Sequence, residues 1–173
     1  MKNLELKVKC TDHRSALKAV KLLGAESAGI LKQRDVYFNL SPGRLKLRSI
    51  NNNEHQLIYY KRPNKAAAKY SNYFISEILH PKRVEKILKE IYNIKVTVNK
   101  SRKLFLWQNV RIHIDTVYRL GKFIEFEIIC SKKIEEKESF EKMKYLVRLF
   151  NISRHNILMP SYSDMILSKQ KGV

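Results

Sequence analysis

The clearest structural signal lies near the end of the chain, in the runs Val110-Arg111-Ile112-His113-Ile114-Asp115 and Leu120-Gly121-Lys122-Phe123-Ile124-Glu125-Phe126-Glu127. In a β-strand, the side chains at positions i and i+2 lie on the same face. In the first run, Arg111, His113 and Asp115 therefore share one face, and the residues between them are apolar. In the second run, Glu125 and Glu127 share a face. We predict two strands, hinged near Gly121, each with one charged and one apolar side.

The same two-residue period recurs upstream, and there the charged faces are mostly basic. The residues that share these faces are Asn3, Glu5, Lys7 and Lys9 in the first strand, Arg44, Lys46 and Arg48 in the third, and the pair Lys100 and Arg102. One strand is purely basic and another purely acidic, so the charges are sorted by strand.

The whole chain reads as short strands with three helical interruptions. Strands are predicted at about residues 3–10, 32–40, 43–50, 55–62, 71–79, 94–106, 109–118 and 122–130. Helices are predicted at 12–23, with Asp12 as N-cap and Gly24 as the stop, at 81–92, with Pro81 at its start, and at about 134–149. The segment 161–167 could fold back over the end of the strands, or simply begin a helix capped by Ser161.

Eight strands in a meander can close into a barrel, which removes their edges. The predicted fold class is α+β: an eight-stranded antiparallel β-barrel tunnel with helices packed on its outside, in one domain over residues 1–173. An ordinary half-solvated sheet would also explain the alternation of any single strand. The amphipathic helices favour the tunnel, because they need an apolar sheet surface to cover and this turns the charged faces inward. Enclosed charges are costly unless water, a metal or an anionic ligand satisfies them.

The residue types on these faces suit phosphate and metal chemistry. Arginine can donate two parallel hydrogen bonds to a phosphate, and lysine offers a point charge. Carboxylate oxygens are the ligands that Mg²⁺ or Mn²⁺ prefers. The sequence contains no GxxxxGK[ST] phosphate-binding loop, so phosphates would be held by side chains.

Composition restricts the partners without naming one. The 173 residues include 35 Lys and Arg against 16 Asp and Glu, a formal net charge of +19 that attracts polyanions. Nucleic acid is a less favoured partner, because no known nucleic-acid motif is present. Neither a signal peptide nor a membrane-spanning run is recognisable, so a cytoplasmic protein with no membrane association is expected.

In these motifs the chain resembles the CYTH superfamily of class IV adenylyl cyclases, thiamine triphosphatases and related triphosphate tunnel enzymes, with the cyclase-like branch the most similar. The resemblance rests on six blocks, in order: 3–7, similar to an opening E-x-E-x-K motif; 33–48, with Gly43-Arg44-Leu45-Lys46-Leu47-Arg48; Tyr60-Lys61-Arg62-Pro63; Lys100 with Arg102; 110–127; and Ser161-Tyr162-Ser163-Asp164. Asn3 departs from the motif, because it replaces the first glutamate and adds no charge to attract a cation.

The resemblance implies roles for individual residues. It implies that Glu5, Glu125 and Glu127 are ligands of Mg²⁺ or Mn²⁺, with Asp115 in direct or supporting contact with the metal. It implies substrate binding by Lys9, Arg44, Lys46, Arg48, Lys61, Arg62, Lys100 and Arg102, and catalytic contacts by Lys7 and Arg111. His113 lies within the charged face and could act as an acid or base, or have a structural role.

The function expected from the resemblance is metal-dependent processing of a triphosphate small molecule such as ATP. Conversion of ATP to cyclic AMP and pyrophosphate, and hydrolysis of an organic or inorganic triphosphate, both fit one charged tunnel. The alternative is a non-catalytic protein that binds polyphosphate or nucleotide. Whether the chain forms a homodimer stays open.

Overall fold

A computed structural model describes residues 2–61, 68–130 and 136–172 of the protein. The strands are β1 (Lys2–Cys10), β2 (Glu26–Phe38), β3 (Arg44–Ile50), β4 (Glu54–Lys61), β5 (Lys69–Glu77), β6 (Ile94–Trp107), β7 (Val110–Val117) and β8 (Gly121–Cys130). The helices are α1 (His13–Leu23), α2 (Pro81–Tyr92), α3 (Glu136–Leu149) and α4 (Tyr162–Lys171), with a 3-10 turn at Arg154–Asn156.

The eight strands form a closed antiparallel barrel in the order β1-β5-β4-β3-β2-β6-β7-β8. Pairing of β1 with β8, which sets Glu5 opposite Glu127 and Lys7 opposite Glu125, closes the ring. The predicted α+β barrel with outer helices is therefore confirmed. Closure matters for function, because it gives every strand one face that looks into the same interior.

The apolar faces of the strands point outward and pack against the helices. Leu4, Ile112 and Phe126 belong to a buried cluster on one side of the barrel, where α1 and α3 cover them. On the opposite side, Val36 and Leu47 pack beneath α2. Because the apolar faces pack against the helices, the charged faces of the strands point into the barrel interior.

Helix boundaries agree with the signals in the sequence. The side chain of Asp12 accepts a hydrogen bond from the Arg14 amide, and Gly24 ends α1 in the left-handed conformation at φ 70°. Pro81 occupies the first turn of α2, where a missing amide hydrogen costs nothing. No helix within the described ranges is long and apolar enough to span a membrane.

Two predictions of extent were wrong. Strand β2 begins at Glu26, about six residues before the predicted start, because the chain passes Gly29 (φ 94°) at an irregularity in its pairing with β6 and stays paired beyond it. The segment 161–167 is the start of the longer helix α4. Ser161 caps this helix in a reciprocal capping box with Asp164, and the helix also closes one end of the barrel, so both alternatives considered for the segment hold.

Candidate functional site

The interior of the barrel contains a cavity of about 710 Å³, open solvent at its mouth included. Its charged lining comes from five strands. The basic side chains are Lys7, Lys46, Arg48, Lys100, Arg102 and Arg111, and the acidic ones are Glu5, Glu125 and Glu127. Six cations against three carboxylates leave the wall of this cavity with an excess of positive charge.

Arg102 is held rigidly by Asp115 on the neighbouring strand. Its Nε and one terminal nitrogen each donate a 2.7 Å hydrogen bond to the two Asp115 oxygens, and the same terminal nitrogen donates at 2.8 Å to Glu125. Asp115 is fully buried and also accepts a 3.0 Å hydrogen bond from the Tyr162 hydroxyl. Burial alone would raise the pKa of Asp115, but Arg102 and Lys100 outweigh it and lower that pKa to about 2.

Arg48 on β3 has the same arrangement with Asp35 on the adjacent strand β2. Its Nε and a terminal nitrogen donate to the two Asp35 oxygens at 2.7 and 3.0 Å, and Lys46 donates to Asp35 at 3.3 Å. Lys100 lies between the two carboxylates, with its Nζ 3.9 Å from one oxygen of Asp35 and 3.9 Å from one oxygen of Asp115. Two arginine–carboxylate pairs thus lie on neighbouring parts of the cavity wall, with Lys100 between their carboxylates.

The two lysines in this arrangement, Lys46 and Lys100, have lowered pKa values. Burial, together with the nearby Arg48, lowers the pKa of Lys46 from 10.5 to about 7. Burial, together with Arg102, lowers the pKa of Lys100 to about 8. An anion in the cavity would raise both pKa values again, since a nearby negative charge favours the charged ammonium.

The acidic residues lie together on β1 and β8. Glu5 and Glu127 are directly opposite in the antiparallel pairing, an arrangement that is destabilising for like charges unless a cation lies between them. Glu125 is buried, and its pKa is well below the ordinary value because Lys7, His113 and Arg102 outweigh the effect of burial. Glu125 is therefore held in the ionised form that a metal ligand must have.

His113 adds a nitrogen beside these carboxylates. Its Nδ1 lies 3.6 Å from Glu125 Oε2 and 3.7 Å from Glu127 Oε1. Ligand atoms of these three residues all lie within 4.8 Å of one another, so they could hold a metal ion. Carboxylate oxygens with one imidazole nitrogen are a donor set that suits a divalent cation.

Aromatic rings and α4 close one end of the cavity. The ring of Tyr162 packs edge-on against Phe123 with centroids 5.0 Å apart. The Lys7 Nζ lies 4.0 Å from the centroid of the Tyr162 ring, on the cavity side. Arg44 holds the helix from the rim with a 2.8 Å hydrogen bond to Asp164. Tyr162 is therefore a wall of the site as well as part of a helix.

Most of the predicted site residues meet in this cavity. Those brought together on its lining are Glu5, Lys7, Lys46, Arg48, Lys100, Arg102, Arg111, Glu125 and Glu127, with His113 and Asp115 directly behind them. Asp115 was predicted as a metal ligand, but its oxygens are occupied by Arg102 and Tyr162, so in this arrangement it orients Arg102 instead.

Three predicted substrate contacts, Lys9, Arg44 and Lys61, do not line the cavity. Lys9 lies beyond the Phe123 ring at the closed end, where it is exposed and donates to the Leu120 carbonyl at 2.7 Å. Arg44 forms an ion pair with Asp164 of α4, and Lys61 is exposed. Arg62 falls outside the described residues.

Sequence reasoning did not assign Asp35 to the site, and it considered Tyr162 only as part of a segment that could fold back over the end of the strands. Asp35 alternates with Gln33 and Tyr37 along β2, which was a usable signal for an inward acid. Nothing in the local pattern of α4 indicates that the Tyr162 ring enters the barrel, because that contact depends on where the helix docks.

Comparison with known proteins identifies the family. The sequence model of the CYTH domain matches residues 1–158, and the chain belongs to this family. A Methanocaldococcus jannaschii protein named "Putative adenylate cyclase MJ0240" is 26% identical over 174 residues, covering 95% of this chain and 98% of that protein.

Solved structures share the fold. The PH1012 protein of Pyrococcus horikoshii aligns with a TM-score of 0.84 and 24% identity, covering 94% of this chain and 98% of its own. A Hippeastrum protein, HpAC1, described as an adenylyl cyclase candidate with a dominant triphosphatase activity, aligns with a TM-score of 0.66 and 12% identity over 98% and 95% of the two chains. At these identities the likeness concerns the fold.

Proposed function

We propose that this CYTH protein is a divalent-metal-dependent enzyme that processes a triphosphate inside the barrel. The observation that carries the proposal is the shared cavity, where six basic side chains and three glutamates from β1, β3, β6, β7 and β8 converge. The family membership and the names of the relatives support the same class of activity.

In this proposal the phosphate chain lies against the two arginine–carboxylate pairs. Arg48 and Arg102 are pre-oriented by Asp35 and Asp115, so little side-chain entropy is lost when their remaining N–H groups bind phosphate oxygens. Lys46 and Lys100 add compact positive charge. Positioning and charge neutralisation are the main contributions a protein makes to phosphoryl transfer.

Glu125 and Glu127 would hold the divalent metal, with Glu5 opposite Glu127 as a further carboxylate. When bound, such an ion neutralises charge on the phosphate oxygens and orients them. Lys7 and Arg111 lie opposite Glu125 and Glu127 in the strand pairing. We assign these two cations to the phosphoryl group nearest the metal.

Two reactions are compatible with this mode of binding, and they differ in which phosphorus atom the nucleophile attacks. In cyclisation, the ribose 3′-hydroxyl of ATP attacks the α-phosphorus and pyrophosphate leaves. In hydrolysis, water attacks the terminal phosphorus and inorganic phosphate leaves. Identification of the products separates the two directly.

The test is a substrate screen with ATP, GTP, thiamine triphosphate and inorganic tripolyphosphate, each with Mg²⁺ or Mn²⁺ and with products identified. Glu125→Gln and Glu127→Gln are expected to lower kcat by at least about a hundredfold, the scale of losing one charged group that acts in the transition state. Glu54→Gln, on the exposed start of β4, is the matched control and should retain activity. Full activity in a protein that carries both Glu125→Gln and Glu127→Gln would contradict the assignment of the site.

A non-catalytic triphosphate binder is the second candidate, and Asn3 is the observation that favours it. This residue is buried on β1, where its Oδ1 accepts a 3.3 Å hydrogen bond from the Tyr73 hydroxyl on the cavity wall. An amide here supplies no charge for a metal. Calorimetric binding of tripolyphosphate with no product from any triphosphate would establish this candidate over the enzyme.

A further inference from the structure

His113 is a buried imidazole whose Nδ1 faces two carboxylates without bonding to either. The residue is 3% exposed, and its Nδ1 has no hydrogen-bond partner among the described residues. The separations of 3.6 and 3.7 Å from the oxygens of Glu125 and Glu127 exceed hydrogen-bonding distance. A buried polar atom left unsatisfied costs about 1–3 kcal/mol, so its retention points to a partner that binds there.

The spacing of the three donor atoms fits a shared cation. Neighbouring ligand atoms of a six-coordinate ion with bonds of about 2.1–2.2 Å lie about 3.0 Å apart, and those of a tetrahedral ion lie about 3.3 Å apart. The Nδ1 of His113 is within several tenths of an ångström of these separations from both glutamates. Small rotations of the side chains would complete the geometry.

The strand register makes this grouping rigid. His113 on β7 is directly opposite Glu125 on β8, and Glu127 follows two residues later on the same inward face. All three donors therefore come from paired strands in the middle of a closed barrel. Sites on such elements hold their geometry better than sites on loops.

Charges around Glu125 determine when a cation can bind. Arg102 donates to its Oε2 at 2.8 Å, and the Lys7 Nζ lies 3.6 Å from its Oε1. Both cations oppose entry of a lone metal ion. A triphosphate would draw the same two cations to its own oxygens, so metal and triphosphate should bind cooperatively.

We infer that His113 is a nitrogen ligand of the metal, completing a His-Glu-Glu site that selects Mn²⁺ over Mg²⁺. The inference deepens the proposed function by specifying its metal. Imidazole nitrogen suits transition metals, whereas Mg²⁺ is bound almost entirely by oxygen. Replacement of His113 should therefore weaken Mn²⁺ binding far more than Mg²⁺ binding.

The direct test is pulsed EPR of Mn²⁺ bound to the full chain together with inorganic tripolyphosphate. The wild-type protein should show hyperfine coupling to an imidazole nitrogen, and His113→Gln should lose it. His155→Gln, at an exposed histidine in the 3-10 turn, is the matched control and should keep the coupling. Calorimetry should show the preference for Mn²⁺ over Mg²⁺ falling by at least about tenfold in His113→Gln.

The wild-type spectrum decides the matter even if the variant fails to fold. Absence of nitrogen coupling in wild-type protein that binds Mn²⁺, or failure of Mn²⁺ to bind with tripolyphosphate, would overturn the inference. The first result would indicate that His113 is a structural residue beside the two glutamates and does not bind the metal. Loss of the proposed function looks different, because absence of turnover leaves the nitrogen coupling in place.

Discussion

Arg102 and Asp115 face each other across β6 and β7 and are joined by two hydrogen bonds of 2.7 Å, with both side chains buried. This fork-to-carboxylate pair fixes the direction of the guanidinium. Asp115 was predicted to contact the metal, but both of its carboxylate oxygens already accept hydrogen bonds, and the residue lies behind the cavity wall. Asp115 is thus a positioning residue for Arg102.

Asp115→Asn should destabilise the protein by about 3 kcal/mol, because it leaves the buried Arg102 without its main counter-charge. Arg34 and Glu85 provide the matched control: they form the same two-bond pair, at 2.7 and 2.8 Å, but in a half-exposed position. Glu85→Gln should cost less than about 1 kcal/mol. Urea unfolding measures both, and equal losses would contradict the role assigned to burial.

Binding of tripolyphosphate at pH 8 should take up about one proton, because the anion raises the depressed pKa values of Lys46 and Lys100. The free protein holds these lysines partly deprotonated between pH 7 and 9, and the bound protein holds them charged. Affinity should therefore fall as the pH rises through this window. Calorimetry in two buffers of different ionisation enthalpy counts the protons.

The controls for proton uptake are the two lysine variants. Lys46→Met should remove most of the uptake at pH 7 and at pH 8, because its amine has the lower pKa and is the more deprotonated of the two in the free protein; Lys100→Met should remove a smaller part, which grows as the pH approaches 9. Uptake that is unchanged in both variants would mean that other groups titrate on binding.

Arg44→Gln should loosen α4 while leaving triphosphate affinity almost unchanged, because Arg44 bonds to Asp164 and does not line the cavity. Hydrogen exchange of the α4 amides reports the loosening. Arg48→Gln is the contrasting variant, and it should weaken tripolyphosphate binding by about tenfold or more, the value of one charge-assisted hydrogen bond. If Arg44→Gln weakened tripolyphosphate binding more than Arg48→Gln does, Arg44 would be a substrate contact after all.

Asn3→Glu should make stability depend more strongly on metal. The new carboxylate would lie two residues from Glu5 on the same inward face, so it repels its neighbours without a metal and attracts one when Mn²⁺ is present. The melting temperature should fall in metal-free buffer and rise on addition of Mn²⁺ by more than in wild type. Asn3→Gln controls for side-chain length, and identical metal responses in all three proteins would place residue 3 outside the metal's reach.

Much of the fold could be predicted because it follows from local periodicity. The alternation of Arg111, His113 and Asp115 with apolar neighbours is visible within six residues. The capping signals at Asp12 and Gly24 are equally local. The early start of β2 could not be predicted this way. Gly29 resembles a strand breaker in isolation, and the long partner strand β6 keeps the chain paired beyond it.

The candidate site was predicted as a set of residue types more accurately than as a set of contacts. Which side chain faces inward follows from parity, so Lys7, Arg48 and Glu125 could be named in advance. Depth along the barrel does not follow from parity. Lys9 has the correct parity, but it lies past the Phe123 ring at the closed end.

The amino-acid sequence by itself determined which residues share a strand face, because a period of two is a property of one extended chain. Only the tertiary structure decided the partners: that Asp115 meets Arg102, that Asp35 meets Arg48, and that the ring of Tyr162 closes the cavity. Such pairings depend on the stagger between strands and on helix docking. The stagger and the docking both depend on how the whole chain packs, because each is defined only when residues far apart in the sequence come into contact.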